Sequence, residues 1–183
     1  MKLIETPLKD AYIIEPKVFN DNRGYFFESF RDLFLAENGL DYQWIQENES
    51  KSTKGVLRGF HFQKGNSAQA KLVRVISGEV FDVAVDLRKD SPSFGQWYAV
   101  KLSGDNKRQF LIPRGFAHGF LVTADEAIFS YKCDNYYDPE MDSGLIYNDP
   151  EIGVEWPVLG MELNISAKDQ VQKSFKDCYK YES

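Results

Sequence analysis

From residue 71 onward, apolar residues come in short runs, each closed by a cluster of turn formers. β-branched residues dominate 71–76 and 79–87, on either side of Ser77 and Gly78, and this pairing predicts a hairpin. A run over 96–102 ends at Ser103, Gly104, Asp105 and Asn106 before another over 109–112, and runs over 120–122 and 127–132 flank 123–126. Short strands separated by turn signals at this spacing predict an all-β sandwich or barrel. Helical patterns fall at the periphery. One spans 29–39, with Ser29 as N-cap, Asp32 three residues on, apolar Leu33 and Phe34, and Gly39 as the stop. A second is expected over 168–181. No low-complexity tract, linker-like stretch or internal repeat interrupts the chain, so 1–183 is read as a single domain.

Composition narrows the function classes. The chain has 183 residues, enough to bury a sizeable core, and ten Tyr and fourteen Phe suit either a β-rich interior or a site that stacks flat ligands. A formal net charge of −6 disfavours a nucleic-acid polymer as partner, but leaves room for a small anionic ligand held by a local arginine cluster. Cys133 and Cys178 are too few and too far apart for a zinc or redox motif. The N-terminal segment lacks the apolar stretch of a signal peptide, and no run reaches the length needed to span a bilayer. A cytoplasmic protein with no membrane association is expected, and the sequons at Asn48 and Asn164 then carry no meaning.

Candidate chemistry gathers around the two histidines. His61 follows Arg58, Gly59 and Phe60. Strict strand alternation would point Arg58 and His61 to opposite faces, so a shared cavity requires a bulge at Gly59. His118 follows Pro113 and Gly115, a tight turn that places it near the start of the next strand. Asp82 and Asp86 share a strand face. Either one could orient a histidine, although a hairpin with one polar face is the plainer reading. Arg23 and Arg58 suit bidentate contacts to phosphate, against the alternative of two solvated arginines. No glycine-rich phosphate loop is present, so a phosphate would be held by side chains.

These residues lie in longer motifs. In chain order they are Asp21–Glu28 with Arg23 and Gly24, 55–63 with Arg58 and His61, Gln69 to Val73 with Lys71, 82–88, 91–95 from Ser91 to Gly95, and 112–120 with His118. Tyr131 with Lys132 and Tyr136 with Tyr137 continue the series. Together they closely resemble the dTDP-4-dehydrorhamnose 3,5-epimerase family, from about Leu3 to Asp169. The resemblance implies a cupin-type jelly-roll β-barrel with short peripheral helices, independent of metal and cofactor, and a homodimer. It implies a dTDP-4-keto-6-deoxyhexose substrate within dTDP-L-rhamnose biosynthesis. It also implies residue roles. His61 resembles the general base, Asp169 its carboxylate partner, Tyr131 the acid on the other face, and Lys71 the enolate-stabilising cation. Arg23 and Arg58 resemble diphosphate ligands, His118 a wall of the sugar pocket, and Glu28, Gln46 and Asn48 nucleotide contacts. Tyr137 resembles a stacking partner for thymine, and Lys168 joins the substrate-binding set. Asp142 stands where the family usually carries a glutamate, one methylene longer. The tail after Asp169 follows no family pattern.

The implied set is chemically coherent. Removing a proton next to a ketone needs a base near the working pH and a cation at the developing oxyanion. Inversion needs a second proton carrier on the opposite face, which Tyr131 supplies, with Lys132 pointing away by alternation. The reading that follows is inversion at C3 and C5 of dTDP-4-dehydro-6-deoxy-D-glucose, giving dTDP-4-dehydro-L-rhamnose. The alternatives are a relative that inverts one centre only and a non-catalytic sugar-nucleotide binder on the same barrel. A metal-dependent cupin fits poorly, because that chemistry calls for a cluster of several histidines.

Overall fold

The computed structural model describes residues 1–158 and 160–182. The chain begins with β1 (Lys2–Glu5) and β2 (Tyr12–Glu15), then sends out a separate hairpin of β3 (Val18–Asp21) and β4 (Gly24–Phe27). The helix α1 (Asp32–Glu37) follows. The barrel proper is built from β5 (Gln46–Thr53), β6 (Val56–Gln63), β7 (Lys71–Ser77), β8 (Glu79–Asp86), β9 (Trp97–Ser103), β10 (Gln109–Ile112), β11 (Phe116–Val122) and β12 (Glu126–Cys133). Two short strands, β13 (Asp142–Gly144) and β14 (Asn164–Ile165), extend one edge. One sheet runs β1-β2-β10-β7-β12-β5 and the other β13-β6-β11-β8-β9, with β14 on β6. Every pairing within them is antiparallel except that of β14. The jelly-roll expectation therefore holds.

The predicted hairpin over 71–87 does not form. β7 pairs with β10 and β12 in the first sheet, whereas β8 pairs with β11 and β9 in the second. The chain crosses between sheets at Gly78, whose φ is +80° and where a Cβ would lie 1.9 Å from the Glu126 carbonyl oxygen. Only glycine tolerates that combination. The turn residues were correctly placed, but local sequence does not say whether a turn keeps the chain in one sheet or hands it to the next.

The first helix is shorter than predicted, and it starts from an extended Arg31 with no side-chain cap. Ser29 does not cap it; its carbonyl accepts instead from Gln109 Nε2 on β10. The stop is as expected: Gly39 N–H reaches Ala36 O at 3.0 Å and Leu40 N–H reaches Leu35 O at 2.9 Å. The expected helix over 168–181 is absent. A single 3₁₀ turn, Asp169–Val171, is followed by chain bonded to the barrel. Phe175 N–H donates to Asp149, Ile146 N–H donates to Lys173 O, and Tyr181 exchanges backbone bonds with 87–89. Phe175 and Cys178 fill the outer face of the second sheet beside Val83, Val85 and Leu87. Tertiary hydrogen bonds and burial outweigh the weak local preference.

Side-chain alternation divides the interior. Val73 and Val75 of β7, Val80 and Ala84 of β8, Phe120 of β11 and Phe129 of β12 pack between the sheets. The same inward faces carry Lys71, Asp82, His118 and Tyr131. One part of the barrel is thus sealed by apolar side chains, and another is polar and open.

Candidate active site

A cavity of about 380 Å³ occupies the polar part. Gln46, Asn48, Lys71 and Tyr131 line it from the first sheet, and Arg58, His61 and His118 from the second. Tyr137, Asp142 and Lys168 close the rim. Ten of the thirteen residues expected at the site therefore share one cavity. Asp169 lies behind His61. Arg23 and Glu28 do not reach the cavity within one chain: they are exposed, with Arg23 paired to Asp21 and Glu28 to Arg31.

The expected bulge is present at Gly59. Opposite β11, the register passes from His118↔His61 to Phe120↔Arg58, so β6 holds one residue more than its partner. The φ of Gly59 is +119°, and a Cβ there would lie 2.5 Å from Gly119 Cα. The extra residue brings Arg58 and His61 onto the same cavity. It also frees the Gly59 N–H, which donates to Asp169 Oδ2 at 3.3 Å.

Asp169 is buried, and its Oδ1 lies 2.6 Å from His61 Nε2. Burial pushes this carboxyl up, but the hydrogen bond and charge of His61, the Gly59 amide and the Ser166 hydroxyl outweigh it, so its pKa falls below the usual carboxylate value. An ionised carboxylate accepts only, so Nε2 carries the proton of the neutral ring. The lone pair is left on Nδ1, the edge away from Asp169, on a side chain 34% exposed. That is the arrangement of an oriented base.

Tyr131 stands on the facing sheet, cross-strand from Asn48. Burial and neighbouring Cys133 raise its pKa, with Asn48 and Arg58 pulling the other way. The phenol is thus protonated at neutral pH and able to give a proton. Lys71 Nζ lies 5.9 Å from the Tyr131 ring centroid. Burial lowers its pKa, opposed by Cys133, Asp82 and Asp142. Lys132 faces the other side of the sheet and bonds Glu47 Oε2 at 2.7 Å, as alternation predicted.

At the rim, Lys168 Nζ donates to Asp142 Oδ2, and that partnership raises the lysine's pKa. Arg58 Nε donates to Ser52 Oγ at 3.1 Å, which leaves its terminal nitrogens available for an anion. His118 Nε2 meets Asp82 Oδ1 and Oδ2 at 3.1 and 3.0 Å. Sequence reasoning placed Asp82 on a shared polar face and preferred the plainer account. The two acids in fact separate: Asp86 binds Arg88, Ser91 and Ser93, while Asp82 turns to the site histidine. Period-2 alternation with Val80 and Ala84 was the signal that Asp82 points inward. Among the described residues, no group of three or more His, Cys, Asp or Glu side chains is placed to hold a metal ion.

The model of the dTDP-4-dehydrorhamnose 3,5-epimerase family matches residues 5–177. A dTDP-4-dehydrorhamnose 3,5-epimerase from Methanothermobacter thermautotrophicus is 52% identical over 177 residues, covering 96% of this chain and 95% of its own. The crystal structure of the enzyme of that name from Elizabethkingia anophelis superposes with a TM-score of 0.92 at 52% identity, over 97% of each chain. A dTDP-6-deoxy-D-glucose-3,5-epimerase from Legionella pneumophila, solved with dTDP-4-keto-L-rhamnose, gives a TM-score of 0.94 at 47% identity, over 100% of this chain and 99% of the other.

Proposed function

The chain belongs to the dTDP-4-dehydrorhamnose 3,5-epimerase family, and we propose that it inverts C3 and C5 of dTDP-4-dehydro-6-deoxy-D-glucose to give dTDP-4-dehydro-L-rhamnose. The observation that carries the reading is the placement of His61 and Tyr131 on facing sheets across one cavity. His61 Nδ1 removes the proton next to the C4 ketone, and Asp169 holds the ring in the reactive tautomer and steadies the imidazolium. Lys71 stabilises the enolate oxygen. Tyr131 returns a proton from the other wall, so the new C–H bond has the opposite configuration. Between the two events the imidazolium gives its proton to solvent and the Tyr131 phenolate takes one up, so the same two walls can act at C5 and at C3, each carbon being adjacent to C4. Arg58 holds the diphosphate, Gln46 and Asn48 contact the nucleotide, and Tyr137 stacks on thymine, with Asp142 and Lys168 at the rim.

Arg23 and Glu28 join this set only from a second copy. The β3–β4 hairpin that carries Arg23 also exposes Phe19, Tyr25 and Phe26, and Glu28 directly follows it. Those apolar surfaces support a homodimer in which the hairpin of one chain reaches the other. Sedimentation of the wild-type chain checks this. The whole of 1–183 acts as one catalytic domain, and a cytoplasmic setting is consistent with the absence, among the described residues, of a helix long and apolar enough to cross a membrane.

Turnover in deuterated water tests the assignment. Deuterium is expected at both C3 and C5, read by NMR of the sugar. Incorporation at one carbon alone would identify a single-centre epimerase. Tyr131→Phe is expected to slow inversion more than exchange, and equal slowing of both would remove the phenol from its role.

A further inference from the structure

Asp82 is a carboxylate with 0% exposure that the proton-transfer set leaves unused. It lies on β8 between Val80 and Ala84, on the face that looks into the barrel. A carboxylate in such surroundings is costly unless it is paired. Its hydrogen-bond partner is His118, whose side chain is 8% exposed and lines the cavity. Phe129 stands beside the same imidazole, with 6.0 Å between ring centroids and 22° between ring planes.

We propose that Asp82 is a positioning residue that locks His118 in its Nε2–H form, making Nδ1 an acceptor for a hydroxyl of the bound keto sugar. The tautomer rests on geometry; the identity of the donor rests on the epimerase reading above. Both carboxylate oxygens face Nε2, and an ionised carboxylate can only accept. The proton of a neutral imidazole therefore sits on Nε2. The ring is neutral because burial pulls its pKa below the ordinary histidine value; Asp82 opposes that pull, and the charges of Lys71 and His61 reinforce it.

This gives the cavity a donor and an acceptor on different sheets. Lys71 on β7 offers protons, and His118 on β11 offers a lone pair. A ketone oxygen is accepted by the first and repelled by the second, whereas a ring hydroxyl satisfies the second. The pair thus sets which way round the sugar lies and aims C4 at Lys71. His118 then has no part in stabilising the enolate oxygen.

The test is long-range ¹H–¹⁵N NMR of the full chain labelled with ¹⁵N-histidine, at neutral pH and without substrate. The chain has two histidines, and His61→Asn leaves His118 as the one imidazole signal. The expected spectrum has Nε2 protonated and Nδ1 bare. A proton on Nδ1, alone or in an imidazolium, would overturn the proposal, and this arm requires no change at position 82. In Asp82→Asn the amide can donate to Nε2, so the Nδ1–H form should appear. Because the histidine concerned is not the base, kcat/KM should then fall by about 10- to 100-fold. An unchanged tautomer in that variant would show that Asp82 does not set it. Failure of the epimerase reading would look different: wild-type enzyme would not turn over the sugar nucleotide, whatever the tautomer.

Discussion

Asp169→Asn preserves the shape of the side chain and inverts its logic. The carboxylate now accepts from Gly59 N–H at 3.3 Å on Oδ2 and from His61 Nε2 at 2.6 Å on Oδ1, with the Ser166 hydroxyl also bonded to it. An asparagine has one accepting end and one donating end. The Gly59 N–H is fixed by the bulge and needs an acceptor, so the amide oxygen must face Gly59. Its NH₂ is then left against His61 Nε2. To accept that bond the ring must move its proton to Nδ1, the atom proposed as the base. A histidine forced into the wrong tautomer by an Asp-to-Asn exchange loses about 10³- to 10⁴-fold in kcat, or about 4–5.5 kcal/mol in barrier. The substrate contacts are untouched, so KM should stay within about threefold. Loss of deuterium exchange at both C3 and C5, with KM preserved, is the expected result. An Asp169→Asn enzyme that keeps more than about a tenth of wild-type kcat would refute the tautomer argument.

Other consequences can be checked directly. Gly59→Ala puts a Cβ 2.5 Å from Gly119 Cα at a φ of +119°, so strain and overpacking should cost about 2–5 kcal/mol in urea unfolding. Ser52→Ala removes the acceptor of Arg58 Nε, and about 1 kcal/mol lost there should raise KM roughly fivefold while kcat holds. The native pKa of Asp169 lies below its unfolded value, so its contribution to stability is complete above about pH 4 and is lost as pH falls through the native value. Urea midpoints between about pH 6 and 3 should therefore fall more steeply in wild type than in Asp169→Asn. Turnover should survive exhaustive chelation, and restoration by an added divalent cation after its loss would contradict the proton-transfer scheme.

Much of the site was legible because its motifs together resemble one family, whereas local chemistry alone singled out the two histidines and the arginines. The need for a bulge at Gly59 followed from alternation alone, since Arg58 and His61 cannot otherwise share a cavity. Lys132 could be assigned to the outer face by the same rule. Asp82 escaped because its partner lies on another strand, and one sequence does not show which carboxylate meets which histidine. The hairpin over 71–87 failed for a related reason: Gly78 marks a turn, but whether the chain then changes sheet depends on partners far along the sequence. The helix expected over 168–181 failed because that segment is held to the barrel wall by burial and backbone hydrogen bonds that local sequence does not show. Arg23 and Glu28 are motif residues that the fold leaves exposed outside the cavity, and motif membership alone does not say what they meet.

The repeated crossing between sheets also bears on how the molecule assembles. β5 and β6, β7 and β8, β9 and β10, and β11 and β12 are neighbours in sequence yet lie in different sheets. Few early contacts can therefore be local, and closing long loops first makes for slow folding. His61 and Asp169 are separated by 108 residues and meet only once the C-terminal segment has docked on β6. A nascent or truncated chain can hold a nearly complete barrel and still lack an oriented base. Recovery of proton exchange during refolding would then lag behind recovery of β structure, making catalysis a reporter of the final docking event.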